Sequence, residues 1–249
     1  MVNTFFIHTD VYISAKSLDY FYLNKQTYDA LIIYKNIFNL KLLAAYYSKA
    51  IPKDPCEVYD WIRYIVKIYK KENCIFLFRE NGQLIKLPKG SKLVQQNYDQ
   101  KIINIEDNKV ILKNNRGFMS IIDINNFVGL NDHIVKFEYI YHPAILLWFN
   151  HLPALKHYIN VHVTECKVRG YENYINIYSK EYSDGITPEY PSWTKDEDFI
   201  TRHKSNLIRK MPGYYAKMFT EVKDDMQYLC PYTPEIVDEN DGSININIK

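Results

Sequence analysis

The spacing of apolar residues changes twice along the chain, and these changes constrain the fold more than any other feature of the sequence. In the first part, apolar residues recur at helical spacing, as in Val58, Ile62 and Ile65. From Cys74 short alternating runs replace this spacing, and helical spacing returns at His142. We therefore predict a mainly α protein whose helical core is interrupted by a small antiparallel β insertion.

Capping residues predict where two N-terminal helices begin. Asn24 is predicted to cap a helix through the segment KQTYDALIIYKNIF, whose apolar residues follow helical spacing. Asp54 is predicted to cap a second helix over about Pro55 to Glu72, because aspartate accepts hydrogen bonds from first-turn amides and proline fits the first turn.

Two C-terminal helices also carry signals at their ends. One is predicted to end near Gly170, since glycine readily adopts the left-handed backbone that closes many helices. The other is predicted to start at the capping box Thr194-x-x-Glu197 and to run from Lys195 to about Lys210.

The turn signals between the helical regions define the predicted domain organisation. Asn81-Gly82 separates two short apolar runs, which predicts a β-hairpin, and further short runs follow it. We predict four parts: an N-terminal helical part of the core (1–73), a β-rich insertion (74–141), a C-terminal helical part of the core (142–235) and a loose polar tail (236–249).

The composition limits the classes of function. The chain has 249 residues, with 31 Lys and Arg against 29 Asp and Glu, so binding to nucleic acid would need a local patch. No apolar run is long enough to span a membrane, and the N-terminus lacks the apolar stretch of a secretory signal. The four cysteines are far apart, so we expect an intracellular, reducing compartment, no metal site and no cofactor.

The stretch RHKSNLIRKMPGYYAKMF, residues 202–219, contains no acidic residue. On a helix, its arginines share a face with a serine and an asparagine, a set of donors that suits phosphate oxygens. The tyrosines beyond the helix could stack on exposed bases. We predict DNA contacts by Arg202, His203, Lys204, Ser205, Asn206, Arg209, Lys210, Tyr214 and Tyr215. The alternative is a solvated face whose last turn carries cations because the helix dipole favours them there, with His203 half-buried.

Several short motifs together resemble a known family. In chain order they are NTFF, SAKSLDYFYLNKQ, HPAILLW, RGY, PSW and HKSNLIRK followed by PGYY. This series resembles the pyrimidine-dimer DNA glycosylase-like family of phages, viruses and bacteria, distant relatives of the phage ultraviolet endonuclease V. The motifs cover about the first 40 residues and Tyr141 to about Tyr232, so the resemblance implies an endonuclease V-like helical core and leaves the β unit as an insertion.

The resemblance also implies a chemistry. The characterised relative attacks the sugar C1′ with its N-terminal amine, forms a Schiff base that permits strand cleavage, and uses a helix glutamate as the assisting acid. Here Val2 would supply the amine after removal of Met1, and a free α-amine with a pKa of about 7.7–8.0 is partly neutral near pH 7. No glutamate lies between Ser14 and Asp29. Asp19 is therefore the nearest carboxylate, with helix capping as its alternative role.

The resemblance implies a second DNA-facing cluster near the chain start. Only Lys25 and Gln26 match it, because Tyr20, Phe21 and Tyr22 stand where the family carries basic residues.

Two functions remain open at this point. The first is a DNA repair glycosylase and abasic-site lyase that acts on damaged pyrimidines in duplex DNA. The second is a catalytically inactive DNA-binding or virion structural protein on the same scaffold, with the β insertion contacting a protein partner. In both cases we expect duplex DNA as a partner and no membrane. The family's members suggest a viral protein, in the host cytoplasm or in the virion.

Overall fold

The chain forms a mainly α structure, described here from a computed structural model, which confirms the predicted fold class. The described residues are 4–72, 74–78, 84–88, 92–95, 98–106, 109–114, 119–123, 133–135, 137, 139–171, 188–227, 232–236 and 244–248. Their helices are α1 (Val11–Lys16), α2 (Tyr20–Tyr46), α3 (Pro55–Lys71), α4 (Pro143–Trp148), α5 (Leu152–Val168), α6 (Glu197–Lys210) and α7 (Pro212–Met218).

Helix α2 is the centre of the core. It packs against α3, α4 and α5, while α1 lies against α5 and α6 packs on α7. Because α2 has neighbours on several sides, Leu23, Ile33 and Leu40 along it are completely buried. This burial on several sides explains why no single apolar stripe marks the helix.

The chain enters this core as a buried extended segment at Thr4–Ile7. The Phe5 amide donates to Gln26 Oε1 at 2.9 Å, and the Tyr158 hydroxyl donates to the Phe5 carbonyl at 3.1 Å. Trp148 Nε1 donates to Thr4 Oγ1 at 2.6 Å. These bonds fix the start of the described chain between α2, α4 and α5.

The start of α2 differs from the prediction. The helix begins at Tyr20, and Asp19 is its N-cap, with the Asp19 carboxylate accepting hydrogen bonds from the amides of Phe21 and Tyr22. Asn24 therefore lies inside the first turns, and its prediction as a cap was wrong. Helix α1 closes at Ser17 and α2 opens at Asp19, which leaves no loop for Asn24 to cap.

The other predicted helix ends agree more closely. Asp54 caps α3, as predicted. Gly170 has φ of 72° and follows the end of α5, also as predicted. Helix α6 starts two residues later than predicted, because Asp196 accepts from the amides of Asp198 and Phe199. Thr194 instead donates to the Pro191 carbonyl within a short 3-10 turn.

Short antiparallel strands follow α3. They are β1 (Cys74–Phe78), β2 (Leu84–Pro88), β3 (Lys92–Gln95), β4 (Tyr98–Glu106), β5 (Lys109–Asn114), β6 (Met119–Asp123) and β7 (His133–Ile134). Strand β1 lies between β2 and β7, and β3 to β6 pair in chain order. The predicted Asn81-Gly82 turn lies outside the described residues. That this region is an insertion into the family's scaffold stays a prediction.

Two further strands lie near the C-terminus. Strand β8 (Tyr232–Ile236) pairs antiparallel with β9 (Ile244–Ile248), so the segment predicted as a loose tail includes a paired strand. Among the described helices, none has the length and apolar content needed to cross a membrane.

Candidate functional site

A buried carboxylate on α2 is the centre of the candidate site. Asp29 is only 7% exposed and forms an ion pair with Lys25, one turn earlier on the same helix. A carboxylate at such a depth needs a cationic or hydrogen-bonding partner, because desolvation of an unpaired charge is costly. Its charge also acts on a neighbouring helix. The pKa of Tyr158 on α5 is raised mainly by burial, and the charges of Tyr190 and Asp29 raise it further.

His142 is the N-cap of α4, and the charge of Asp29 acts on it. Its Nδ1 accepts a hydrogen bond from the Ala144 amide at 3.2 Å and thereby caps α4. Burial lowers the pKa of His142, the positive charge of the N-terminus lowers it further, and Asp29 raises it. The Asp29 carboxylate and the positive charge of the N-terminus therefore act on the His142 imidazole in opposite directions.

The predicted nucleophile lies just before the described chain. Val2 is outside the described residues, so its role stays a prediction. Thr4 and Phe5 are held by Trp148 on α4 and Gln26 on α2. Asp29 lies three residues after Gln26, on the helix that the chain start contacts.

Asp19, the predicted assisting acid, has a structural role. One of its carboxylate oxygens accepts the two cap hydrogen bonds of α2, and the other accepts from the Tyr215 hydroxyl at 2.5 Å. The Tyr215 hydroxyl also accepts from the Asp19 amide at 3.0 Å. Both oxygens are therefore engaged within the fold, and the alternative role as a capping residue is the one observed.

The basic face of α6 lies against the protein's own C-terminal segment. Arg209 Nη1 donates to the carbonyls of Asp224 and Met226, each at 2.7 Å. Arg202 donates from Nε to Asp198 and from Nη1 to the Gln227 carbonyl. The arginines thus bind carbonyl oxygens of residues 224–227 where DNA phosphates were predicted.

Lys204 is also engaged within the fold. Its Nζ lies 3.7 Å from Glu221 and 5.2 Å from the centre of the Phe219 ring. Like the two arginines, Lys204 makes its contacts within the protein, so fewer of the predicted DNA-binding cations on α6 are available to DNA.

Four predicted DNA-binding residues are buried, which rules out direct contact with DNA in this structure. His203, Ser205, Gln26 and Tyr215 are at most 1% exposed. The His203 ring stacks on Phe5 at 5.1 Å, and burial, helped by Lys210, lowers its pKa to about 3. Ser205 Oγ accepts from the Met226 amide at 3.2 Å. These four side chains hold the helices and the chain start together, so their prediction as direct contacts was wrong.

The other predicted residues keep accessible surface. Tyr214 is 40% exposed, Lys210 is exposed, and Asn206 is partly exposed. Lys25 is partly exposed and contacts Asp29. These four residues remain predicted DNA contacts.

Asp29 is the residue that sequence reasoning missed, although a signal was present. It lies four residues after Lys25 in the segment that carries the resemblance, a spacing that places both side chains on one helix face. The resemblance implies a glutamate as the assisting acid, and this position carries an aspartate. Within the described part of the chain, no group of three or more His, Cys, Asp or Glu could hold a metal ion.

Comparison with known proteins gives one family. A family model described as pyrimidine dimer DNA glycosylase matches residues 92–178, about a third of the chain. Neither the curated proteins nor the solved structures give a significant match. The matched range contains α4, α5 and the HPAILLW and RGY motifs, and it begins inside the predicted β unit. The resemblance of this chain to the pyrimidine dimer DNA glycosylase family is therefore confirmed over that range.

Proposed function

We propose that this protein is a DNA repair glycosylase that acts on pyrimidine dimers in duplex DNA. The family match supports this class of activity and a DNA substrate. Within the fold, the proposal rests on the buried Asp29 carboxylate, which forms an ion pair with Lys25. The charge of Asp29 also acts on the pKa of His142, as does the positive charge of the N-terminus.

In the proposed reaction, the neutral α-amine of Val2 attacks C1′ of the damaged nucleotide. The nitrogen lone pair forms the new bond, and the electrons of the glycosidic bond leave with the pyrimidine, which then takes up a proton. The amine loses a proton and the sugar ring opens, which leaves a Schiff base. Loss of a C2′ proton then expels the 3′ phosphate and breaks the strand.

Asp29 replaces Asp19 as the assisting acid in this proposal. A carboxylate held in a poorly solvated site stabilises the positive charge that develops on the sugar and can relay the protons of the amine. Lys25 offsets the buried negative charge of Asp29, because the two side chains form an ion pair on one helix face.

His142 serves as a neutral positioning residue. Its Nδ1 accepts the cap hydrogen bond of α4, so the neutral ring carries its proton on Nε2. A neutral ring adds no second cation that would compete with the amine for the Asp29 carboxylate.

The proposal is tested with a duplex that carries one pyrimidine dimer, by measuring strand cleavage and, after photoreversal of the dimer, release of the detached base. We expect Asp29→Asn to lower the rate roughly 100-fold or more, in the range typical of a lost acid or base. The matched control is Asp60→Asn, which changes an exposed carboxylate on α3 and should leave the rate unchanged.

Two results would contradict this account. Activity of Asp29→Asn within about threefold of the wild type would remove Asp29 from the mechanism. A wild-type protein that binds duplex DNA but never processes the dimer would favour the alternative, an inactive DNA-binding or virion structural protein. Arg202 and Arg209 donate hydrogen bonds to the protein's own carbonyls, so the active and the inactive function need to be compared directly in this assay.

A further inference from the structure

Helix α2 exposes two aromatic rings on the face that carries Lys25. Phe21 is 60% exposed and Tyr28 is 48% exposed, and together with Lys25 they follow i, i+4 and i+7 spacing. We call these three residues the α2 strip. Lys25 also contacts Asp29, so the strip borders the candidate site directly.

The aromatic residues on either side of Phe21 differ in exposure, since Tyr20 is 53% exposed and Tyr22 is buried. Tyr22 is only 6% exposed and packs near Tyr215, with their ring centres 6.1 Å apart. Phe21, one position earlier, extends away from that core, although its ring edge meets Tyr22 at 5.1 Å. Single exposed apolar side chains are common, but two rings on either side of a cation on one helix face form a surface that suits nucleobases.

The dimensions of the strip match a nucleic-acid strand. Seven residues separate Phe21 from Tyr28, which is roughly 10.5 Å along the helix axis. Successive stacked bases on one strand are about 3.4 Å apart, so the two rings are too far apart for adjacent stacked bases and suit bases that have left the stack. The cation between the rings, Lys25, is of the kind that contacts backbone phosphates.

We propose that Phe21 and Tyr28 stack on bases that have left the helical stack at the lesion, and that they determine the preference for distorted DNA. This inference rests on the proposed function and names residues that select its substrate. The aromatic residues occupy the part of the chain where the resemblance implies basic residues, so recognition here depends on base stacking more than on phosphate charge.

The test compares Phe21→Ala and Tyr28→Ala with the wild type in the full-length protein. Dissociation constants are measured by fluorescence anisotropy for an undamaged duplex, a dimer-containing duplex and a duplex with a two-base unpaired loop. We expect each change to weaken binding to the two distorted duplexes roughly 5- to 100-fold, since stacking on aromatic side chains is worth about that much per base. Binding to the undamaged duplex should be unchanged.

Two controls separate stacking from a general structural effect. Tyr64→Ala removes a tyrosine of nearly the same exposure, 47%, from α3 and should have no effect. Phe21→Tyr and Tyr28→Phe keep the rings and should restore wild-type affinity. The slope of log affinity against log salt should be the same in all variants, because no phosphate contact is removed.

The outcomes distinguish the inference from the proposed function. If the wild type cleaves dimer-containing DNA while Phe21→Ala and Tyr28→Ala bind like Tyr64→Ala, the inference is overturned and the proposed function stands. If the wild type does not process the dimer, the proposed function fails. The looped duplex still tests the strip in that case, and equal binding by all variants would overturn the inference too.

Discussion

The contact between Tyr215 and Asp19 allows a sharp prediction, because it joins α7 to the start of α2. The Tyr215 hydroxyl donates to the Asp19 carboxylate at 2.5 Å and accepts from the Asp19 amide at 3.0 Å. Tyr215 is completely buried and Asp19 is 9% exposed. Tyr215→Phe removes the hydroxyl oxygen, so the carboxylate and the backbone amide of Asp19 both lose this hydrogen-bond partner.

The expected cost follows from these two bonds. A hydrogen bond to a charged group contributes about 1.5–3 kcal/mol, and a buried amide left without a partner adds a cost of about 1–3 kcal/mol. Since Asp19 keeps a little access to water, we expect Tyr215→Phe to lower the free energy of unfolding by about 3 kcal/mol. In a chain of this size, that corresponds to a decrease in Tm of about 6–12 °C.

Urea unfolding followed by circular dichroism measures this change. Tyr214→Phe is the matched control, since Tyr214 is adjacent in sequence but 40% exposed, and its change should stay within about 0.5 kcal/mol. If Tyr215→Phe were as stable as the wild type, the buried contact would not exist. The original prediction that Tyr215 stacks on bases would then regain support.

Three further predictions concern engaged and buried groups. Arg209→Gln should lower the free energy of unfolding by about 1 kcal/mol, because it removes two exposed hydrogen bonds to the C-terminal segment. It should leave unchanged the slope of log DNA affinity against log salt concentration. A slope that becomes shallower by about 0.9, measured by anisotropy, would instead show a phosphate contact. The pKa of His162 is lowered to about 4 and that of His203 to about 3 by burial, so both are neutral in the folded protein and take up protons on unfolding below about pH 6.5. The histidines should therefore contribute their full stabilisation above about pH 6.5. The free energy of unfolding should fall with decreasing pH, by roughly 1–2 kcal/mol per histidine at pH 5. Equal urea midpoints at pH 7.5 and pH 5 would contradict this. His203→Phe should remove about half of that pH dependence, as the same urea titrations would show.

The helical core could be predicted because its signals are local. Asp54 and Pro55 are adjacent, and the Gly170 conformation concerns a single residue, so short sequence windows contain the information. The start of α2 was missed because Asp19 and Asn24 are both good caps. The choice between them depends on Tyr215, which lies 196 residues later and meets Asp19 in the fold.

The candidate site was harder to predict because its residues depend on burial. The sequence identified α6 as a basic helix, but nothing in it indicated that residues 224–227 would bind Arg202 and Arg209. Asp29 is an ordinary polar residue in the sequence, and only the packing of other helices around α2 makes it a buried carboxylate. Spacing predicts which residues share a helix face, whereas tertiary packing decides which face is covered.

The most direct test of the account is to trap the proposed intermediate. The purified protein is mixed with a duplex that carries one pyrimidine dimer, sodium borohydride is added, and the cross-linked peptide is identified by mass spectrometry. We predict a covalent adduct on the N-terminal amine that is nearly absent in Asp29→Asn and unchanged in Asp60→Asn. An adduct on a lysine side chain, or cleavage of the dimer strand with no trapped adduct, would contradict the proposed Schiff-base chemistry at the N-terminus.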